Sequence, residues 1–257
     1  MTFILITFVL LAISFYQWQY FMIFTPTFYR GEELNDDFEI LSITTDDGVE
    51  LEGVVYEPKE IYRKFPDIHS TLLFFAGRSH DSVGLIKRLS HTFPHARIVT
   101  FNYRSYGRSG GSVNEKNILK DGVTIAKIVQ KNYGDFYVLG FSIGASVASY
   151  VASKQNTLGL FLVGIFDSIE SLARQKYGVG MSKISRYTFD NTLFIQDVDA
   201  KTYIFVSRHD EIVHIENSRN LKKKVKNLAM YKEFDNLTHK DLLWHKEIVE
   251  DINGVMF

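Results

Sequence analysis

Hydrophobic residues are arranged in two different ways along this chain. Residues 3–24 form a continuous run, FILITFVLLAISFYQWQYFMIF, without any formally charged side chain. A bilayer core about 30 Å thick is crossed by about 20 helical residues. The run therefore predicts a membrane-spanning helix, and we assign residues 1–27 to an N-terminal membrane anchor.

Two other interpretations of this run stay open. A cleaved signal peptide has a basic start, a shorter apolar stretch and a small-residue cleavage site, and the run matches none of these. A core helix of a soluble domain has a polar face, whereas this run is apolar on every side. We therefore favour an uncleaved single-span anchor and a membrane location. The flanking charges do not define on which side of the membrane the following residues lie.

From residue 38 onward, short apolar segments alternate with turns and amphipathic stretches. Segments 38–44 and 49–57 flank the turn residues Asp46, Asp47 and Gly48, which predicts a β-hairpin. Further strands are predicted over 70–77, 96–103, 135–141, 158–166, 201–207 and 228–234, and helices over 80–92, 115–132, 143–154, 215–226 and 240–252. A hairpin followed by alternating strands and helices predicts a mostly parallel, twisted sheet with helices on both faces.

The composition of the chain limits the number of domains and the classes of partner that we expect. The chain shows no repeat or long linker, so we expect one domain over residues 28–257. Its 29 basic and 30 acidic residues give a net charge of -1, and we expect no nucleic-acid partner. Cysteine is absent, which excludes disulfides and thiolate metal sites. The histidines show no paired spacing, so we expect neither a metal nor an organic cofactor.

One serine lies where the ligand edge of such a sheet is expected, at the carboxyl end of a strand. Ser142 follows the strand 135–141 within the G-x-S-x-G sequence GFSIG and precedes a helix of small residues. A nucleophilic serine in this position sits at a sharp strand-to-helix turn, where side chains at Gly140 and Gly144 would crowd it. The pattern in this context predicts a catalytic serine.

A serine hydroxyl needs a base, and the base needs an orienting carboxylate. Asp210 and His239 come directly after the last two predicted strands, in the chain order serine, acid, histidine that this fold uses. We predict Asp210 as the orienting acid and His239 as the general base. Glu211 and Asp235 are the alternative acids.

Acyl transfer also needs two N–H groups that bind the developing oxyanion. The first candidate is the N–H of Ile143, directly after the serine. The second is the N–H of Arg78, in the loop Ala76-Gly77-Arg78 that follows the third strand. Gly77 would allow a substrate carbonyl to approach the backbone of this loop.

These segments resemble an α/β-hydrolase, close to the Bem46-like and ABHD17/ABHD13-like serine hydrolases. The resemblance covers about residues 25–250 and is carried by LLFFAGRS, FNYRSYGRSGGSVNE, LGFSIGASVA, VSRHDEIVH and NLTHKDLL. It implies a Ser-His-Asp triad and a small cap at about residues 167–199. The chain departs from the family pattern in the oxyanion loop, where Ala76 replaces a histidine and Arg78 replaces an asparagine.

The expected activity is hydrolysis of a carboxylic ester or thioester through an acyl-enzyme. The substrate would be a small molecule or an acyl or lipid ester, the latter suggested by the anchor. Two alternatives remain at this point. A peptidase of the same fold would use the same triad, and a membrane-tethered binding module could retain the residues without turnover.

Overall fold

The strands and helices of the chain follow the predicted alternation. The computed structural model describes residues 2–27, 37–58 and 70–257. These residues form the strands β1 Phe38–Thr44, β2 Glu50–Tyr56, β3 Thr71–Phe75, β4 Arg97–Phe101, β5 Phe136–Phe141, β6 Gly159–Val163, β7 Thr202–Ser207 and β8 Leu228–Phe234. The helices are α1 Thr2–Ile23, α2 Ile86–Thr92, α3 Glu115–Tyr133, α4 Ile143–Ala152, α5 Ile169–Tyr177, α6 Val179–Ser182, α7 Asn191–Phe194, α8 Ile215–Lys222, α9 His239–Leu242 and α10 Lys246–Met256.

The strands form a single twisted sheet with the order β1-β2-β4-β3-β5-β6-β7-β8. β2 runs antiparallel to its neighbours β1 and β4, and the remaining pairs are parallel. The prediction of a mostly parallel sheet with an antiparallel N-terminal hairpin is therefore confirmed. The carboxyl ends of the parallel strands meet at one edge, where the predicted site residues should also meet.

The core consists of two layers, one on each face of the sheet. Every residue of β3, β6 and β7 is buried, as expected for strands covered on both faces. Leu73 and Val138 face the layer under α3 and α4, whereas Leu72 and Leu139 face the layer under α2 and α10. Because successive side chains point to opposite faces, the continuous apolar runs supply both layers at once.

The last predicted helix, 240–252, is divided into α9 and α10. Thr238 and Asp241 form a capping box that begins α9. The N–H of Trp244 then donates to the carbonyl of Asp241, a tight i to i+3 bond that ends the helix before His245 begins the next one. The capping box fixes the start of α9, and with it the backbone of His239.

The helix α1 is exposed over residues 4–14 and joins the domain at its end. Residues Ile4–Ile23 have the length and composition of a membrane span, a property that signal sequences share. Phe24, directly after the helix, is 1% exposed and packs against Tyr187 and Phe189. The predicted boundary after residue 27 adjoins residues 28–36, which lie outside the described residues.

Candidate active site

Ser142 occupies a strained turn between β5 and α4. Its backbone has φ 56° and ψ -122°, a combination that a residue with a side chain rarely adopts. A Cβ atom at Gly140 would lie 2.4 Å from the carbonyl oxygen of Gly144, and one at Gly144 would lie 2.1 Å from that of Phe75. Both flanking positions therefore require glycine, and the turn lifts Ser142 above the end of the strand.

His239 and Asp210 form a close pair at the ends of the next strands. The Nδ1 atom of His239 lies 2.6 Å from Oδ2 of Asp210, and their side chains are 7% and 2% exposed. The other carboxylate oxygen, Oδ1, accepts the backbone N–H groups of Ile212 at 2.8 Å and Val213 at 2.7 Å. The loop thus fixes the carboxylate and leaves one oxygen to accept the Nδ1 proton.

The second ring nitrogen of His239 is available for chemistry. Nε2 is buried and has no hydrogen-bond partner among the described residues. The imidazole packs on the ring of Phe141, the residue before Ser142, with 5.0 Å between ring centroids. In serine hydrolases without substrate, the hydrogen bond between the serine and this ring nitrogen is often long, and it tightens when substrate binds. His239 and Ser142 line the same pocket, which brings the three predicted residues to one site.

The alternative acids make other contacts. Asp235 is exposed and pairs with Arg208 at 2.9 Å. The carboxylate of Glu211 accepts the backbone N–H of His239 at 3.0 Å, so it contacts the peptide and not the ring. Among these three carboxylates, Asp210 is the one placed to orient the imidazole.

The loop Ala76-Gly77-Arg78 is held by two tyrosines from the segment after β4. Tyr103 donates its hydroxyl to the carbonyl of Ala76 at 2.7 Å, and Tyr106 donates to the carbonyl of Arg78. The guanidinium of Arg78 donates to the carbonyl of Met22 near the end of α1. The side chain of Arg78 therefore contacts α1, while its backbone lines the pocket. Ile143 is the first residue of α4, and the first N–H groups of a helix have no intrahelical partner.

The pocket has a volume of about 830 Å³ and lies at the carboxyl edge of the sheet. Ser142 and His239 line it, together with Gly77 and Arg78 of the loop predicted to bind the oxyanion. Both α1 and the cap contribute apolar side chains to its walls: Phe15, Trp18, Met22, Leu172 and Tyr177. Short helices α5, α6 and α7 occupy the segment that was predicted as a cap. The predicted anchor thus forms one wall of the site, which the sequence did not indicate.

Two further residues at the site escaped sequence reasoning. His80 lines the pocket with its ring 5.8 Å from that of Phe141, and burial lowers the pKa of His80 below its usual value. The sequence signal that could have placed His80 at the site is its position three residues after Gly77, next to the predicted oxyanion loop. Gly164 has φ 64°, and a Cβ there would lie 2.9 Å from Cε1 of His239. No group of three or more His, Asp or Glu side chains within the described ranges could hold a metal ion.

An ion-pair network joins the strands that carry Asp210 and His239. Glu233 on β8 accepts hydrogen bonds from Arg219 of α8 at 2.7 Å and from Arg208, directly after β7, at 2.9 Å. The guanidiniums of Arg219 and Arg208 lower the pKa of Glu233 from 4.5 to about 2. When Glu233 is ionised, the network therefore stabilises the ends of β7 and β8, from which the loops of Asp210 and His239 begin.

We expect the substitution Glu233→Gln to destabilise the chain most at neutral pH. A carboxylate with a lowered pKa contributes stability above its unfolded pKa, here near 4.5, and loses it as the pH falls towards about 2. The difference from wild type, measured by urea unfolding of the full chain in detergent micelles, should shrink with acidification. Glu247→Gln, which affects an exposed pair with Lys232, serves as the control. A difference independent of pH would contradict this account.

Comparisons with known proteins agree on the architecture. No family model matches the sequence. An uncharacterized protein of Acanthamoeba polyphaga mimivirus is 25% identical over 218 residues, covering 76% of this chain and 72% of that protein. An esterase from Pyrococcus furiosus superposes with a TM-score of 0.68 at 18% identity, covering 90% of this chain and 98% of the esterase.

Two other solved structures are similar at the same level. An α/β-hydrolase from Vibrio vulnificus gives a TM-score of 0.69 at 15% identity, covering 86% of this chain and 82% of its own. An acetyl xylan esterase from Paenibacillus sp. R4 gives a TM-score of 0.66 at 12% identity, covering 87% of this chain and 86% of the esterase. At such identities the likeness establishes the fold alone. The sheet order, the antiparallel hairpin and these superpositions together show that the chain has the α/β-hydrolase fold.

Proposed function

We propose that this protein is a serine hydrolase that cleaves carboxylic esters or thioesters. Ser142 is the nucleophile, His239 the general base and Asp210 the orienting acid. The observation that carries the proposal is the 2.6 Å contact between Nδ1 of His239 and Oδ2 of Asp210, in the same pocket as a serine with φ 56°. The esterases among the similar structures favour the same chemistry.

The first half-reaction forms an acyl-enzyme. Oγ of Ser142 attacks the carbonyl carbon while its proton moves to Nε2 of His239. Asp210, fixed by two backbone N–H groups, holds the Nδ1 proton in place and stabilises the resulting imidazolium. When the tetrahedral intermediate collapses, the C–O or C–S bond breaks and the leaving group takes the proton from Nε2.

The second half-reaction releases the acyl group. A water molecule attacks the acyl carbon, its proton moves to Nε2 of His239, and the proton then returns to Oγ of Ser142 as the carboxylic acid leaves. The N–H groups of Ile143 and Arg78 would bind the oxyanion in both steps. Removing one such donor costs about 100- to 1,000-fold in rate in serine hydrolases. The tyrosine contacts to the carbonyls of Ala76 and Arg78 support a fixed loop geometry.

The substrate class follows from the walls of the pocket. Side chains from α1 and the cap give it an apolar lining above the polar floor, which suits an acyl chain more than a charged or peptidic group. A membrane position for α1 would place this pocket near lipid esters. The motifs of the elbow, acid and histidine loops favour membership of the Bem46-like serine hydrolases, from whose pattern the oxyanion loop departs at Ala76 and Arg78.

We expect the full-length protein in detergent to hydrolyse p-nitrophenyl esters with a rate that increases with acyl chain length. Burying one methylene group is worth about 0.8 kcal/mol, so kcat/KM can rise by up to about fourfold per methylene. A fluorophosphonate probe should block turnover and label Ser142, as located by peptide mass spectrometry. A flat chain-length profile would argue against an acyl pocket. A protein that shows no turnover and no labelling would instead be a binding module.

A further inference from the structure

The cap exposes large apolar side chains in the part that contacts α1. Val179 and Ile184 are 58% and 56% exposed, and Tyr177 is 38% exposed. Apolar side chains that form a contiguous exposed patch mark sites of contact with protein or membrane.

The contacts between the cap and α1 fix the level of the cap along the helix. The rings of Tyr177 and Trp18 lie 5.7 Å apart, edge to face. The side chain of Gln19 donates to the carbonyl of Ile184 at 3.3 Å and accepts the N–H of Arg186 at 2.6 Å. The guanidinium of Arg186 also lies 3.8 Å from the ring centre of Tyr16. Four contacts therefore hold the cap against the last two turns of α1.

In a membrane-spanning α1, this level would correspond to the interface of the bilayer. Trp18 and Gln19 precede the end of α1 at Ile23 by about 6–8 Å at a rise of 1.5 Å per residue. Interfacial segments insert about 5–10 Å into the boundary between headgroups and acyl chains. If residues Ile4–Ile23 cross a membrane, the exposed side chains of Val179 and Ile184 lie within that boundary.

The charge of residues 169–189, the part of the cap that includes its contacts with α1, fits an anionic lipid surface. The segment 169–189 reads IESLARQKYGVGMSKISRYTF and contains one acidic residue, Glu170, and four basic residues, Arg174, Lys176, Lys183 and Arg186. Residues 169–189 are therefore a local basic region, flanked by Asp167 and Asp190, within a cap that has five acidic and four basic residues over 167–199. Lysines next to inserted apolar side chains can extend their ammonium groups to lipid phosphates.

We propose that residues 169–189 of the cap are a second membrane contact that inserts into the bilayer interface beside α1. The pocket walls formed by Trp18, Met22, Leu172 and Tyr177 then open towards the bilayer. Substrate would enter the pocket from the lipid layer and the released acid would return there. The choice of an ester as that substrate rests on the proposed function, whereas the position of the cap does not.

Spin labels can test the position of the cap without any enzymatic assay. The chain contains no cysteine, so Val179→Cys and Ile184→Cys each introduce a unique labelling site. Nitroxide labels on the full chain, reconstituted in phosphatidylcholine–phosphatidylglycerol vesicles, should collide more with oxygen than with a water-soluble nickel complex. Leu158→Cys is the matched control, because Leu158 is 47% exposed at the opposite edge of the sheet, before β6. Its label should be accessible to the nickel complex.

Two outcomes would overturn the proposal. Labels at positions 179 and 184 that meet the nickel complex as readily as the label at 158 would place the cap in water. Labels shielded from both oxygen and nickel, with spin–spin broadening, would indicate that a second copy of the chain covers the cap.

Activity provides a second readout. Ile184→Asp should lower kcat/KM by about tenfold on an ester carried by the vesicle bilayer, because a carboxylate opposes insertion of the cap. It should leave hydrolysis of water-soluble p-nitrophenyl acetate unchanged, as should Leu158→Asp on both substrates. Equal rates of Ile184→Asp and wild type on the bilayer ester would contradict the inserted cap. Absence of turnover in wild type would instead refute the proposed function, and the label accessibilities would still decide the position of the cap.

Discussion

The substitution Ser142→Ala is expected to lower kcat for p-nitrophenyl ester hydrolysis by about a millionfold, the scale seen when a serine hydrolase loses its nucleophile. Without Oγ, no acyl-enzyme can form, and His239 has no hydroxyl to deprotonate. The fold should persist, because the N–H of residue 142 still donates to the carbonyl of Val163. Labelling by a fluorophosphonate should disappear together with turnover.

Ser153→Ala is the matched control for this experiment. Ser153 follows the same helix α4 at its other end, where its hydroxyl donates to the carbonyl of Tyr150. It does not line the pocket, so both turnover and labelling should stay at the level of wild type. Labelling of Ser142→Ala at full strength would show that another residue carries the nucleophile.

The substitution Asp210→Asn should lower kcat by about ten-thousandfold while leaving the fold intact. The reason lies in the two different environments of the carboxylate oxygens. Oδ1 accepts the N–H groups of Ile212 and Val213, so the amide oxygen of an asparagine would take that place. The amide NH₂ would then face Nδ1 of His239 and force the proton onto Nε2. In that tautomer, the imidazole cannot accept the proton of Ser142.

Asp235→Asn provides the control, because Asp235 follows β8 near His239 but pairs with Arg208 on the surface. Its removal should change kcat by less than about twofold, since exposed ion pairs contribute little. The measurement is kcat and KM for a soluble ester, with a near-normal KM expected for Asp210→Asn. A large loss of kcat in Asp235→Asn together with a small loss in Asp210→Asn would show that Asp235, and not Asp210, is the orienting acid.

The sequence was most informative about the strands and the residues directly after them. Ser142, Asp210 and His239 each follow a strand of apolar residues, and parallel strands bring their carboxyl ends to one edge. Local pattern and the topology of the fold were therefore enough to place these residues near one another. The glycines of the elbow were readable from the G-x-S-x-G pattern itself, although the backbone that crowds Gly144 belongs to the distant strand β3.

The features that were missed depend on contacts between distant parts of the chain. Nothing in the periodicity of residues 3–24 indicates that Trp18 and Met22 line the pocket. The break between α9 and α10 had a local signal, the Thr238 and Asp241 capping box, but no glycine or proline marks the point where α9 ends. His80 enters the pocket because the chain turns after β3 before α2 begins, a geometry that periodicity does not record.

The burial of Phe24 has a practical consequence for anyone seeking a water-soluble fragment. A fragment cut after residue 27 would discard an aromatic ring that belongs to the interior of the hydrolase domain and packs against Tyr187 and Phe189. It would also discard Thr25, whose N–H donates to the hydroxyl of Tyr106. A shortened protein that keeps its interior complete should therefore begin upstream of Tyr20, retaining the final turn of α1.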